Sequence, residues 1–174
     1  MGDTKAKGDI AEQSVLLMAL KLSWNVLKPV GDRLPYDMVF EIDNKFCRIQ
    51  VKSAWFRESS GRWHVETRRT KTNRKEMKRE YYSSNDVDFV IIHADELNVF
   101  WIMPINEFLS YKGEITLGMT DKQRILKSDD FKNAWHLISQ WASQEGILER
   151  QSVKFGETVS VAIPSQAELK IQKV

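Results

Sequence analysis

Two segments of the chain place apolar residues three or four positions apart, which is the spacing of an amphipathic helix. They cover residues 8–24 and 129–144. Asp9 stands where the first helix would have its N-cap, with Glu12 three residues later. We therefore expect helices in both segments and a third, strongly charged helix over residues 71–82.

Short apolar or alternating runs between these helices indicate β-strands. The predicted strands cover residues 26–29, 36–42, 46–52, 62–67, 87–94, 99–103 and, near the end of the chain, 159–163. Helices and strands in this order predict an α/β fold, in which a mixed central sheet is flanked by helices.

A tight hairpin is predicted where Asp43 and Asn44 join two of these strands, since both residue types favour short β-turns. Side chains alternate between the two faces of a strand. Gln50 and Lys52 therefore project from one face of the second strand, and the apolar residues between and before them project from the other. The polar pair is thus expected on a strand whose back lies in the core.

The length of the hairpin loop decides what lies opposite this pair. With a two-residue loop, Asp37 lies opposite Gln50 and diagonal to Lys52. A loop shifted by one residue places Asp37 opposite Lys52 instead. Either register brings a carboxylate, an amide and an ammonium together, whereas a three-residue loop separates them.

These three groups suit phosphodiester hydrolysis, which needs a cation to neutralise developing charge and an oriented attacking water. Asp37 offers hard oxygen ligands for Mg²⁺, and the Val51 carbonyl offers another. Lys52 would orient the water or stabilise the transition state, while Gln50 would ligate the metal or hydrogen-bond a water. Glu12 is a candidate second carboxylate if its helix packs beside the sheet. Otherwise Glu12 is only a capping acid, and Asp37 with Lys52 only an ion pair.

Positive charge is concentrated between Arg57 and Arg79, where nine basic and three acidic residues give a net charge of +6, while the rest of the chain carries −4. Such a concentration is typical of a polyanion-binding surface, although a solvated helix face is the alternative. Five of the nine basic residues are arginine, whose planar guanidinium suits phosphate and guanine edges, so nucleic acid is the expected polyanion. The candidate contacts are Arg62, Arg68, Arg69, Lys71, Arg74 and Lys75.

Composition narrows the class of protein further. The chain has 174 residues and a mass of 20.3 kDa, which suits one domain. Its longest apolar run, residues 15–20, is far shorter than the roughly 20 residues of a membrane span. The first residues lack the apolar segment of a signal peptide. The single cysteine, Cys47, excludes an intrachain disulfide and a cysteine-based zinc site. We therefore expect an intracellular, cytoplasmic protein with no membrane partner.

Several short stretches of sequence carry a more specific signal. They are GDIAE at residues 8–12, PYD at residues 35–37, QVKS at residues 50–53 and RRTKTNR at residues 68–74. Together they resemble the PD-(D/E)xK nuclease superfamily, and more narrowly its branch of homing endonucleases encoded in cyanobacterial group I introns. The resemblance continues through the strands at residues 87–104 and covers most of the chain up to about residue 145.

The resemblance implies a restriction-endonuclease-like core, Mg²⁺-dependent double-strand cleavage of DNA and a homo-oligomer. It implies Glu12, Asp37, Gln50 and Lys52 as the active-site set. Position 50 departs from the wider pattern, because glutamine replaces the usual second acid, as it does in the narrower branch. We assign residues 1–150 to the nuclease domain and residues 151–174 to a C-terminal strand or tail extension of it.

Homing-type, site-specific cleavage is the leading functional hypothesis. A duplex has two strands and each protomer one site, so we expect a dimer or a dimer of dimers. Two alternatives stay open. One is a nuclease of the same fold that acts on junctions or in repair. The other is a non-catalytic DNA-binding protein with a degenerate pocket, which the glutamine at position 50 slightly favours.

Overall fold

The computed structural model describes the backbone of residues 4–31, 33–72, 77–118 and 126–152, and their side chains except for residues 70–72, 77–78 and 145–152. The chain divides into two compact units, residues 1–143 and 144–174. Of the second unit, the structure describes only the end of one helix. The predicted domain boundary at residue 150 stays a prediction.

The described residues form three α-helices, ten strands and two short 3₁₀ turns, Asp95–Leu97 and Lys127–Phe131. The helices are α1 (Thr4–Lys21), α2 (Ile105–Leu109) and α3 (His136–Ser152). The strands are β1 (Asn25–Leu27), β2 (Met38–Ile42), β3 (Lys45–Ser53), β4 (Trp55–Arg57), β5 (Arg62–Glu66), β6 (Arg69–Thr72), β7 (Met77–Glu80), β8 (Phe89–Ala94), β9 (Val99–Pro104) and β10 (Glu114–Leu117). None of the described helices is long and apolar enough to cross a membrane.

A five-stranded mixed sheet organises the molecule, with the strand order β1-β2-β3-β8-β9. β3 and β8 run parallel, and the other neighbours run antiparallel. α1 packs against β3 and β8. A three-stranded antiparallel sheet, ordered β10-β5-β4, forms a second layer of structure. The predicted mixed α/β architecture is therefore confirmed.

Two apolar clusters cover opposite faces of the central sheet. One joins α1 and α3 to the sheet through residues such as Val15, Phe40 and Ile138. The other joins the second sheet and α2 to β8 and β9. Every residue of β8 is buried, as is typical of a strand covered on both faces. β3 instead buries one face and leaves the other half-buried, so its polar side chains lie beside the second cluster.

The hairpin between β2 and β3 has the predicted two-residue loop. Asp43 and Asn44 both have positive φ, 51° and 62°, the backbone geometry of the tight turn that suits twisted strands. Ile42 pairs with Lys45, and Met38 pairs with Ile49. Continued by one residue, this register places Asp37 opposite Gln50, which confirms the first of the two alternative registers.

The prediction of a helix over residues 71–82 is wrong. β6 and β7 pair as an antiparallel ribbon, in which Arg69 lies opposite Glu80 and Thr72 opposite Met77. The closely spaced charges imitate a solvated helix face, but β-branched Thr70 and Thr72 favour an extended backbone. The region that the charges assign to a helix is therefore a two-stranded ribbon, and residues 73–76, between its strands in the sequence, lie outside the described residues.

The ends of two helices differ from the prediction. α1 begins at Thr4, so Asp9 and Glu12 lie inside the helix and neither caps it. The predicted helix over residues 129–144 begins later, at His136, because the 3₁₀ turn Lys127–Phe131 and a break precede it. The hydrophobic pattern does not predict β4, α2 or β10, which are only three to five residues long. The predicted strand at residues 159–163 lies outside the described residues.

Candidate active site

The predicted carboxylate and amide are in direct contact on the half-buried face of the β2–β3 hairpin. The Gln50 Nε2 amide donates to Asp37 Oδ2 at 2.5 Å, and the Val51 backbone N–H donates to the same oxygen at 2.8 Å. The Asp37 backbone N–H in turn donates to the Ile49 carbonyl at 2.9 Å. Backbone and side-chain bonds therefore fix the Asp37 carboxylate against β3.

Two oxygen atoms that could bind a metal ion lie close together at this point. The Gln50 Nε2 amide that donates to Asp37 also donates to the Val51 carbonyl oxygen, at 3.0 Å. The side chain of Val51 points the other way and is only 7% exposed. One carboxylate oxygen and one carbonyl oxygen thus face a single positively polarised group, and both are oxygen ligands of the kind that a hard divalent cation binds. The predicted metal ligands Asp37 and Val51 fit a cation on this ground.

Glu12 is half-buried on α1, and this helix packs beside β3 as the prediction required. Its negative charge acts on Asp37 strongly enough to raise the pKa of that carboxyl. Glu12 also accepts a hydrogen bond from Lys28 Nζ at 2.9 Å. The structure therefore brings Glu12 within electrostatic reach of the site, next to Lys28, a cation that the sequence did not single out. Among the described residues no three histidine, cysteine or acidic side chains cluster as metal ligands.

Burial shifts the two ionisable groups of the hairpin face in opposite directions. It raises the pKa of Asp37 from 3.8 to about 6, which the Val51 N–H partly offsets and the Glu12 charge reinforces. It lowers the pKa of Lys52 from 10.5 to about 8, against the attraction of Asp37 and Glu66. Loss of hydration penalises the charged form of each group, so both would gain from a partner of opposite charge.

Lys52 lies on the same strand face but does not donate to Asp37. Its Nζ donates to the backbone carbonyl of Arg68 at 3.0 Å, and it lies 5.1 Å from the ring centroid of Tyr82. Tyr82 is buried in the second apolar cluster. Sequence reasoning missed Tyr82, since nothing in the pattern around it indicates a partner 30 positions earlier in the chain.

Of the predicted DNA contacts, Arg68, Arg69 and Lys71 lie on or beside the β6–β7 ribbon, and Arg62 lies on another strand. Arg62 begins β5, opposite Arg57. Arg68 is paired with Glu66, Nε to Oε1 at 2.8 Å, and Arg69 with Glu80 at 3.3 Å. Lys71 lies on β6, but its side chain is not described, and the predicted contacts Arg74 and Lys75 lie outside the described residues.

Asp37, Gln50 and Lys52 thus lie on one face of a mixed α/β sheet, an arrangement that is compatible with a metal-dependent nuclease. The sequence profile described as PD-(D/E)XK endonuclease matches residues 2–138. The chain belongs to this family, and it is therefore an endonuclease that hydrolyses phosphodiester bonds. PD-(D/E)XK nucleases typically use divalent metal ions.

One solved structure similar to this chain is that of a bacterial homing endonuclease, I-Ssp6803I. The two share 46% sequence identity with a TM-score of 0.78, and the alignment covers 83% of this chain and 99% of the other. The match confirms the restriction-endonuclease-like fold predicted from the sequence. Comparison with curated proteins gives no match.

Because the folded protein binds a proton on Asp37 more tightly than the unfolded chain does, this residue destabilises the fold as it ionises. The protonated carboxyl therefore stabilises the fold fully below pH 3.8, and this stabilisation is lost as the pH rises through about 6. Without divalent metal, we expect the free energy of unfolding of the wild type to fall by about 2 kcal/mol relative to that of Asp37→Asn between pH 4 and pH 7. Urea denaturation of both proteins across this range measures the difference. A difference independent of pH contradicts the shift.

Proposed function

We propose that this endonuclease is of the homing type and cuts double-stranded DNA at a specific site with Mg²⁺ as its cofactor. The observation that carries the proposal is the convergence of the Asp37 carboxylate and the Val51 carbonyl on the strand face that also bears Lys52. The 46% identity to a homing endonuclease along most of the chain supports it. Since the substrate is DNA, we also propose that the protein acts inside the cell.

Each polar group of the site has a distinct proposed role. Asp37, the Val51 carbonyl and Glu12 hold the ion, which when bound supplies charge neutralisation at the phosphate. Gln50 holds Asp37 in place through its amide N–H. Lys52 orients the attacking water or stabilises the negative charge that develops on the phosphate. Gln50 contributes no negative charge, so the site has two acidic ligands, of which Glu12 must first leave Lys28.

Substitution of the proposed catalytic groups tests this assignment. We expect Lys52→Ala and Asp37→Ala each to lower the cleavage rate at least a thousandfold while leaving the fold intact, because neither side chain belongs to an apolar cluster. Lys21→Ala, on the exposed last turn of α1, is the matched control. Cleavage with Mg²⁺ and circular dichroism measure the two effects.

Three DNA substrates separate the possible functions in the same assay. They are a random linear duplex, a four-way junction and a duplex that carries a candidate intron insertion site. Cuts at one position of the third substrate support the proposal. Cuts confined to the junction indicate a junction-resolving nuclease, and binding without any strand scission indicates the degenerate pocket that Gln50 allows. Full activity of Lys52→Ala removes that residue from the mechanism.

We propose that the β6–β7 ribbon reads the DNA. A two-stranded antiparallel ribbon fits the major groove, where the edges of the base pairs are distinguishable. The ribbon lies in the segment that carries the net charge of +6. Arg74 and Lys75 stand in the sequence between its two strands, and Arg68 and Arg69 lie at its base. Base contacts are therefore assigned to the ribbon, and Arg62 on β5 to the phosphate backbone.

Salt dependence tests the electrostatic part of this assignment. Each phosphate contacted changes the slope of log affinity against log salt concentration by about −0.9. We expect the Arg74→Ala, Lys75→Ala double variant to reduce the slope by up to about 1.8, measured by fluorescence anisotropy without divalent metal. Lys21→Ala should leave the slope unchanged. A wild-type slope near zero contradicts the role of the basic segment.

We propose that the active form is a dimer or a dimer of dimers. Each protomer has one candidate site, and a double-strand break needs one site per strand, which two-fold symmetry supplies. Sedimentation equilibrium at micromolar concentration should give a multiple of 20.3 kDa. A monomeric mass, with and without DNA, contradicts the proposal.

A further inference from the structure

Lys52 contacts the chain just before the first strand of the ribbon and again just after the second. Its Nζ donates to the carbonyl of Arg68, the residue immediately before β6, at 3.0 Å. It also lies 5.1 Å from the ring centroid of Tyr82, two residues after β7 ends. The chain therefore contacts the Lys52 ammonium at Arg68, forms the ribbon, and contacts the ammonium again at Tyr82.

The Tyr82 ring is a fixed surface. It is 6% exposed and packs edge-on against Phe108, with the ring centroids 6.3 Å apart. The guanidinium carbon of Arg69 lies 5.8 Å from the centroid of the same ring. Arg69 is also paired with Glu80 across the ribbon. One buried ring thus contacts both Lys52 and a cation at the base of the ribbon.

A ring face and a carbonyl hold an ammonium differently from a carboxylate. Both attract the positive charge within about 6 Å without neutralising it. Of the three N–H donors of Lys52, the described residues engage one by a hydrogen bond. The other two are left for a phosphate oxygen and an attacking water, so this arrangement positions the group and keeps its charge.

We propose that Tyr82 is a positioning residue for Lys52, and that the Tyr82 ring together with the Arg68 carbonyl ties this ammonium to the base of the DNA-reading ribbon. The inference rests on the proposed function, since it assumes that Lys52 acts in cleavage. Movement of Arg68 at the base of the ribbon would then move the ammonium relative to Asp37, while the Tyr82 ring stays in place. Tyr82 touches no substrate itself and acts through Lys52.

The test compares Tyr82→Phe, which keeps the ring, with Tyr82→Leu, which removes it. We expect single-turnover cleavage at saturating DNA and Mg²⁺ to fall at least tenfold in Tyr82→Leu and to stay within threefold of wild type in Tyr82→Phe. DNA affinity without metal should change less than threefold in both variants. Phe100→Leu, which removes a buried ring from the other apolar cluster, controls for general loss of packing and should cleave within threefold of wild type.

A second measurement does not depend on cleavage. The ring current of Tyr82 should shift the ε-methylene protons of Lys52 upfield in the NMR spectra of the wild type and Tyr82→Phe, and the shift should vanish in Tyr82→Leu. Lys52→Arg assigns the resonance.

The inference is overturned if this resonance is the same in Tyr82→Leu, or if Tyr82→Leu cleaves at the wild-type rate. It is also overturned if Phe100→Leu loses as much activity as Tyr82→Leu. Full activity of Lys52→Ala overturns the proposed role of Lys52 and this inference with it. An inactive wild type that keeps the ring-current shift contradicts the proposed function alone.

Discussion

The register of the β2–β3 hairpin determines which side chains meet at the candidate site. Asp43 and Asn44 accept the positive φ of a two-residue turn, and the pairing of Ile42 with Lys45 follows from that turn. Because side chains alternate along a strand, a three-residue loop would place Asp37 opposite Val51, whose side chain belongs to the core. The conformational tolerance of two exposed turn residues therefore keeps the proposed metal ligands aligned.

Both ionisable groups of the candidate site are desolvated without an ion pair. Asp37 is held by an amide and a backbone N–H, and Lys52 by a carbonyl and a ring face, so among the described residues neither charge has an ion-pair partner at bonding distance. Burial without neutralisation is unfavourable, and it is the source of both pKa shifts. A cation beside Asp37 and a phosphate beside Lys52 would each remove part of this cost. Glutamine at position 50 fits this balance, since another buried carboxylate would add to the repulsion between Glu12 and Asp37.

The sequence predicted what local patterns determine and missed what distant contacts determine. Alternation and turn chemistry predict the hairpin and a shared face for Asp37 and Gln50, and they narrow the register to two alternatives, between which the structure decides. Closely spaced charges over residues 71–82 fit a helical pattern as well as an extended one. Only the cross-strand pairing in the structure distinguishes the two. Tyr82 could not be found, because its contact with Lys52 depends on how the chain returns from the ribbon.

The same return of the chain places the proposed DNA-reading ribbon close to the proposed site of cleavage. The segment from Arg68 to Tyr82 leaves and rejoins the body of the protein at Lys52, so the ribbon is anchored on the proposed catalytic face and not on a separate domain. The anchoring contacts are one backbone hydrogen bond and one ring face, weaker than a buried ion pair. A weak anchor can shift when the ribbon enters a groove, whereas a core contact such as Tyr82 with Phe108 holds the ring in place. Contact of the ribbon with DNA would therefore be linked to the position of Lys52 through the Arg68 carbonyl and the Tyr82 ring.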